Sequence, residues 1–410
     1  MDKILLVTAK NPMSVNVLDG GAKTVLQYIE SLSSDYIVDL LHLNIGDAST
    51  RDLLTPKGVS KVEMIEADEL NYYLFNNKSS FEKFERRIAS SRIYAQEIKK
   101  RIGSYRIVII FHCSLAMGLK DYLEKDELDK IVLLPMFLTP SYLKSGDHVP
   151  ESYTNEERVA LENVRHIITP SVVEKKQLTD FYHVEESKIV EIPRSVDVLR
   201  PTCTKHKEND ITKICYVASF KNQKNNLDSI KCTELLMQRG FSVNLFLVGS
   251  VFDKNIYDQC TDYVKLHNLG CSVHFEHAMT TSKLHSFYEC MDLAISTSLH
   301  ETFGRSIYEA MSFGLPTFCL DTLDVVDEFA NNNLGLKKCK DFRTMADEIS
   351  IVLENRPLLR DMSLNAKKIS ENLSQEKQYR SIKRYISVVF PHERLRGADA
   401  ILHLDTLDGI

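Results

Sequence analysis

Two glutamates, Glu301 and Glu309, stand eight positions apart in "SLHETFGRSIYEAMSFGLP" (residues 298–316), with a Phe-Gly step between them and a Gly-Leu-Pro stop behind. The preceding run "LAISTS" reads as a strand ending at Ser298 and "LHET" as a turn. The next helix begins around Phe303 to Arg305 and stops at Gly314, before Pro316. The backbone N–H groups of residues 304–306 then open a helix, where an anion such as phosphate is favoured. Carboxylates bordering such a site do not bind the anion, but they accept hydrogen bonds from the neutral hydroxyls of a sugar or a ribose. That combination describes a pocket for a nucleotide sugar. The plain alternative makes Glu301 a first-turn charge on the helix dipole and Glu309 a solvated side chain; Gly304 and the "GLP" stop argue against it.

Such a helix start needs a strand end to carry it, and the chain supplies many. Short apolar or β-branched runs, "KILLVTA", "YIVDLLHL", "RIVIIF", "KIVLLP", "RHIITP" and "KIVEIP", alternate with helical stretches through about residue 196. The alternation restarts with "TKICYVA", "SVNLFLV", "SVHFE", "LAIS" and "PTFCL". Between the two series, residues 200–211, "RPTCTKHKENDI", are polar, hold a proline and show no apolar period, as expected of a linker. Beyond residue 341 the pattern is helical only, with Pro357 separating two helices. The expectation is an α/β chain of two Rossmann-like doubly wound domains facing a cleft, with ligands outside the carboxyl ends of the strands.

Composition sets the outer bounds. A length of 410 residues exceeds one ordinary core, and 43% apolar with 26% charged residues is globular. A net charge of −6 and a pI near 6.1 argue against a surface built for nucleic acid, which needs clustered Lys and Arg to neutralise phosphates. The opening "MDKILLVTAK" is too short an apolar run for a signal peptide, and no stretch approaches the roughly 20 apolar residues of a membrane span. A cytoplasmic protein is expected. The nine cysteines are odd in number, scattered and free of any C-x-x-C pair, which suits reduced, buried thiols rather than a disulfide framework or a zinc ribbon.

"HETFGRSIYEAMSFGLP" resembles the E-x7-E signature of the retaining glycosyltransferases of GT-B fold, sequence family four. Other segments agree in order: "VLDGGAKTVLQYIESL" resembles the family's Gly-Gly loop and first helix, "ITPSVVEKKQL" its sixth-strand segment, "KIVEIPRSVDVLRP" its hinge, and "ICYVASFKNQKNN" the loop that carries diphosphate-binding cations. The resemblance covers about residues 3–320, and the all-helical end fits a last helix crossing back to the first domain. It implies domains at 1–199 (acceptor side), 200–370 (donor binding) and 371–410 (the returning helix and tail).

Carried over residue by residue, the resemblance gives Glu309 the ribose hydroxyls, Glu301 the hydroxyls of the transferred sugar and Lys224 the diphosphate oxygens. Backbone around Phe303, Gly304 and Arg305 meets sugar and phosphates, and Gly20 and Gly21 let backbone approach the donor phosphate or the acceptor. His112 in "VIIFHCS" contacts the sugar; otherwise it is a histidine packed near a strand end. The chain also departs from the family. Ser219 stands where a diphosphate Arg is usual, so one of two cations is missing. Lys221, Arg194 and Arg305 are the candidates to replace it, Lys221 and Arg194 first; the alternative leaves each a surface cation. "LLPMFLTPSY" occupies the place of the family's Thr-His segment without a histidine.

Other groupings carry less. His274 and His277 in "VHFEHAM" lack further ligands and read as an edge-of-strand pair rather than a zinc site. Residues 81–106 hold eight Lys or Arg against three Glu. They read as a solvated amphipathic helix, or more sharply as a contact for an anionic acceptor or a membrane surface. Asp147 and His148 fall in a long loop suited to acceptor recognition. Taken together, the resemblance implies a retaining, metal-independent hexosyltransferase-type enzyme without a cofactor. Its donor is a UDP- or GDP-linked sugar, its acceptor a hydroxyl on a glycan, glycolipid, protein or small molecule, and its place the cytoplasm or the inner face of the membrane. The rivals are a GT-B-like sugar phosphorylase or epimerase, and a binding subunit that has lost turnover, the last motivated by Ser219.

Overall fold

Isoleucine, leucine and valine run through "KILLVT" and "IVIIF" almost without interruption, which leaves neither strand a face for water. Successive side chains enter different cores. Leu5, Val7, Val108 and Ile110 pack on one side of the sheet, and Ile4, Leu6, Ile107, Ile109 and Phe111 on the other. The structure, a computed structural model, describes residues 1–14, 20–44, 54–66, 80–136, 138–144, 146, 149–196, 211–330 and 333–391. Asp147, His148, the linker up to residue 210 and the chain beyond residue 391 lie outside the described residues.

The first domain is a parallel sheet of β1 (Lys3–Thr8), β2 (Ile37–Asn44), β3 (Val59–Glu66), β4 (Ile107–Phe111), β5 (Ile131–Leu134), β6 (His166–Thr169) and β7 (Ile189–Glu191). Their order is β3-β2-β1-β4-β5-β6-β7. The second sheet holds β8 (Thr212–Val217), β9 (Val243–Val248), β10 (Val273–Glu276), β11 (Leu293–Ser296), β12 (Thr317–Leu320) and β13 (Leu336–Cys339), ordered β10-β9-β8-β11-β12-β13. Two edge strands, β3 and β13, are not among the runs read from the sequence. "VSKVEMIE" and "LKKC" mix Lys and Glu with apolar residues, as suits edges that must not recruit another strand. In each sheet the winding reverses at one place, between β1 and β4 and between β8 and β11, and a crevice opens there beyond the carboxyl ends.

Nine helices matter for that crevice: α1 (Gly20–Leu32), α2 (Ser80–Arg101), α3 (Thr139–Lys144), α4 (Val172–Lys176), α5 (Asn226–Gln238), α6 (Arg305–Ser312), α7 (Asp327–Ala330), α8 (Arg356–Asn372) and α9 (Gln375–Val389). Pro357 lies in the first turn of α8, where its missing N–H leaves no helical bond unmade. α9 returns to the first domain: Ile382, Tyr385 and Ile386 join the core of Ile4, Leu6 and Tyr28, and Arg106 Nε donates to the Phe390 carbonyl at 2.9 Å. The cations of α2 are largely paired. Arg87 grips Glu156, Arg101 holds Glu63 and Glu97, and Lys99 meets Glu127. No helix among the described residues is long and apolar enough to cross a membrane.

The two domains touch through polar groups at strand ends. Lys144 pairs with Asp324, Ser171 Oγ donates to the Thr302 carbonyl at 3.3 Å, and the Val172 amide donates to Glu328 Oε2 at 2.9 Å. Burial, with a hydrogen bond to Glu191 of β7, pushes the Glu328 carboxyl up to about 8. The folded state therefore binds a proton here that the unfolded chain releases near its ordinary carboxylate value, so this contribution is full below that value and declines as pH rises through about 8. Glu328→Gln, which keeps the neutral shape, is expected to flatten the fall in Tm between pH 6 and pH 9 by about 2–4 °C in thermal melts. An unchanged pH profile would remove Glu328 as the cause.

Candidate functional site

Strand β8 ends at Val217, and the chain runs on through Ser219 to Lys224 before it must turn into α5. Asn225 makes that turn with φ of 46°, a left-handed conformation that Asn tolerates better than most residues. Its neighbours hold it. Tyr216 donates to the Lys224 carbonyl at 2.6 Å, and Thr297 Oγ1 donates to the Asn225 carbonyl at 2.8 Å. The Lys224 ammonium is thereby aimed at the loop after β11, where it pairs with Glu301. Ser298 Oγ donates to the same carboxylate oxygen at 2.8 Å. Burial alone would raise the Glu301 carboxyl, but Lys224 and Ser298 outweigh it and hold the group below its ordinary value. Glu301 is an ionised hydrogen-bond acceptor at neutral pH, fixed in place by a cation.

After Glu301, Phe303 turns inward and packs its ring 5.0 Å from that of Tyr308, which leaves only its backbone toward the cleft. Gly304 follows with φ of 78° and opens α6, whose first amides have no acceptor inside the helix. Glu309 lies in the second turn, and Lys23 of α1 reaches across from the first domain to bond Glu309 Oε1 at 2.9 Å. Arg305 also faces α1. Its Nη1 donates to the Ser195 carbonyl at 2.8 Å and its Nη2 to Gln27 Oε1 at 3.0 Å, so the guanidinium ties the two domains and the hinge residue together.

On the first-domain side, α1 opens with Gly20 and Gly21, and a Cβ at Gly20 would meet nothing within 4 Å. His112 follows β4 directly, with φ of 109°, a conformation few non-glycine residues adopt and one that recurs where function demands it. Its Nδ1 accepts from the Ser114 amide at 3.0 Å, which leaves the proton on Nε2. Burial, reinforced by Arg87, pushes the ring down to about 4, so it is neutral near pH 7. Tyr142 of α3 sets its ring edge-on to His300, the residue before Glu301, at 5.1 Å between centroids.

The remaining candidates are placed differently. Ser219 is half-buried beside Gly249, where any Cβ would lie 2.0 Å from the Ala218 carbonyl oxygen. Lys221 extends along Phe252, its Nζ 6.0 Å from the ring centroid of a side chain that is 82% exposed. Arg194 bonds the Met136 carbonyl at 3.3 Å beside Glu174, a carboxyl that burial raises to about 7 against the pull of Arg194. Lys23, Ser298 and Tyr142 are not among the site residues expected from the sequence. Of these only Lys23 left a trace, two residues beyond Gly21 at the start of an amphipathic helix. His274 stacks on Phe246, while His277 lines a cavity of about 640 Å³ at the carboxyl end of β10 with Met279, Thr280, Lys283 and Phe287. No three His, Cys, Asp or Glu among the described residues converge as a metal site. A concavity of about 1910 Å³ lies at the opposite end of the first sheet around Lys3, Arg106 and His166. Strand direction decides for the cleft.

Lys224→Met would strand the Glu301 carboxylate without its cation. The expected loss is about 3–5 kcal/mol in denaturant unfolding at pH 8, smaller at pH 5, where burial favours protonation of the orphaned carboxyl. Lys224→Met combined with Glu301→Gln is expected to recover most of it. Additive losses in the double variant would show that the two groups do not act as a pair.

Comparison with known proteins agrees with the fold. The family described as Glycosyl transferases group 1 matches residues 204–369, which include Ser219, Lys224, Glu301 and Glu309. The capsular polysaccharide biosynthesis glycosyltransferase CapM of Staphylococcus aureus is 26% identical over 165 residues, 40% of this chain and 42% of CapM. Solved structures resemble the whole fold at low identity. Sucrose-phosphate synthase from Thermosynechococcus elongatus has a TM-score of 0.75 at 16% identity, covering 95% of this chain and 99% of its own. HepE of Anabaena, solved with UDP and glucose, has 0.71 at 15%, covering 94% and 100%. Residues 204–369 form a glycosyl transferases group 1 domain, and the chain that carries it has the GT-B fold.

Proposed function

We propose that this chain is a retaining, metal-independent glycosyltransferase that moves a sugar from a nucleoside diphosphate sugar to an acceptor hydroxyl. The observation that carries the reading is the arrangement of Glu301, Lys224 and Glu309 around the start of α6, at the point where the second sheet reverses its winding. Glu309 takes the ribose hydroxyls and Glu301 the sugar hydroxyls, both as acceptors. Lys224 meets the diphosphate and stabilises the charge that grows on the leaving oxygen. The neutral His112, with its proton on Nε2, donates to a sugar oxygen from the first domain. Gly20, Gly21 and the backbone of Phe303, Gly304 and Arg305 allow close approach. The cavity of about 640 Å³ at the carboxyl end of β10 is the candidate for the nucleoside base.

In this reading the bond from the anomeric carbon to phosphate breaks while a bond to the acceptor oxygen forms on the same face, so anomeric configuration is kept. The acceptor proton passes to the leaving phosphate oxygen, and no side chain acts as nucleophile. The known complex of HepE with UDP and glucose favours a UDP-linked donor. A membrane or anionic-acceptor role for α2 finds less support, because Arg87, Arg92 and Arg101 face carboxylates of the same chain.

A thermal-shift screen of UDP, GDP and their sugars tests the site. One nucleotide is expected to raise Tm by several degrees, about 2.7 kcal/mol at a hundredfold excess over Kd, and Glu309→Ala to lose most of that shift. No shift for the wild type, or a full shift for the variant, would overturn the donor pocket. With the donor so identified, NMR of the product is expected to show retained configuration, undiminished in EDTA. Phosphate-dependent release of sugar phosphate would instead mark a phosphorylase, and binding without turnover a subunit that only binds.

A further inference from the structure

Lys23 is a cation in the first turn of α1, the end of a helix at which a positive charge is disfavoured, and no acidic residue of that turn offsets it. Its partner comes from the other domain, Glu309 Oε1 at 2.9 Å, with the two side chains only 17% and 9% exposed. A pair buried to that degree adds little stability over apolar packing, because desolvation cancels much of the attraction. Its position is more informative. If Glu309 is the ribose acceptor, the Lys23 ammonium rests on Oε1 of the carboxylate that the ribose hydroxyls must reach, one linkage away from the nucleotide's phosphates. A lysine stem of four methylenes can swing the ammonium across that gap.

Lys224 is aimed at the site from the second domain, whereas Lys221 lies along Phe252 and the arginines nearby have other work. Arg305 bonds Ser195, Gln27 and Thr24, and Arg194 bonds Met136 beside Glu174. We propose that Lys23, from the first domain, is the second cation on the donor's diphosphate, and that its pair with Glu309 is the resting position it leaves when the ribose arrives. This rests on the reading of the cleft as a donor site. Binding then exchanges one partner for another at each group: Glu309 trades the ammonium for ribose hydroxyls, and the ammonium trades a carboxylate for phosphate oxygens. The donor would thereby be held from both domains.

The test is titration calorimetry of wild type, Lys23→Met and Lys23→Arg with the diphosphate, monophosphate and plain nucleoside of whichever base stabilises the wild type. Lys23→Met is expected to bind the diphosphate about tenfold or more weakly while binding the nucleoside as well as or better than wild type. Lys23→Arg, which keeps the charge, is expected to stay within about threefold for the diphosphate. It keeps the test open should Lys23→Met fail to fold, which circular dichroism would reveal: a loss for Lys23→Arg that is equal for nucleoside and diphosphate would then overturn the proposal. Equal weakening of nucleoside and diphosphate in Lys23→Met would mean that Lys23 only orients Glu309. Unchanged or tighter diphosphate binding would mean that it only blocks the pocket. Either result overturns the proposal and leaves the donor site standing; a wild type that binds no nucleotide overturns both.

Discussion

A parallel sheet cannot be closed by tight turns, so each strand must be followed by a crossover, and the crossovers must change direction once if both faces are to be covered. Everything chemical in this protein follows from where that change occurs. In the first sheet it falls between β1 and β4, and the residues just beyond those strands lead to Gly20 and to His112. In the second it falls between β8 and β11, and the residues beyond them are Lys224 and Glu301. Two reversals placed opposite one another bring groups from distant parts of the chain to one cleft, with no need for any of them to be close in sequence.

Within that cleft the dominant problem is electrostatic. Glu301 and Glu309 are both shielded from water, and a shielded carboxylate either takes up a proton or acquires a cation. Both acquire one, but from opposite sides: Lys224 from the same domain, Lys23 from the other. The contrast with Glu328 is instructive. It meets Glu191 rather than a lysine, and burial drives it toward the protonated form. One chain thus shows both outcomes of burying an acid, and only the cation-bound acids sit at the start of α6.

How far the sequence discloses this depends on the range of the interaction. Strands with uninterrupted apolar runs, such as β1 and β4, are legible because their burial on both faces needs no polar alternation. β3 and β13 are not, because edge strands carry charges that blur the pattern. The helix start at Gly304 is legible from a glycine followed by a short apolar period and Gly-Leu-Pro, and the left-handed Gly304 bears out the turn. The meeting of Lys23 with Glu309 spans 286 residues and depends on how two domains face each other. Local spacing holds no record of it. The same is true of Arg305, whose reach to Ser195 and Gln27 is decided by domain packing rather than by its neighbours in the chain.

The return of α9 to the first domain means that the polypeptide passes between the domains twice. The two passages are stitched side by side: the Val196 amide donates to the Leu373 carbonyl at 2.9 Å, and Gln378 bonds both Ser195 Oγ and the Pro193 carbonyl. A body hung from one strand of chain can swivel and twist in any sense, whereas one hung from two adjacent strands has its freedom reduced to rotation about the line that joins them. The geometry of the C-terminal helix therefore fastens the second crossing to the chain at Pro193–Val196, beside the point where Arg305 of α6 bonds the Ser195 carbonyl.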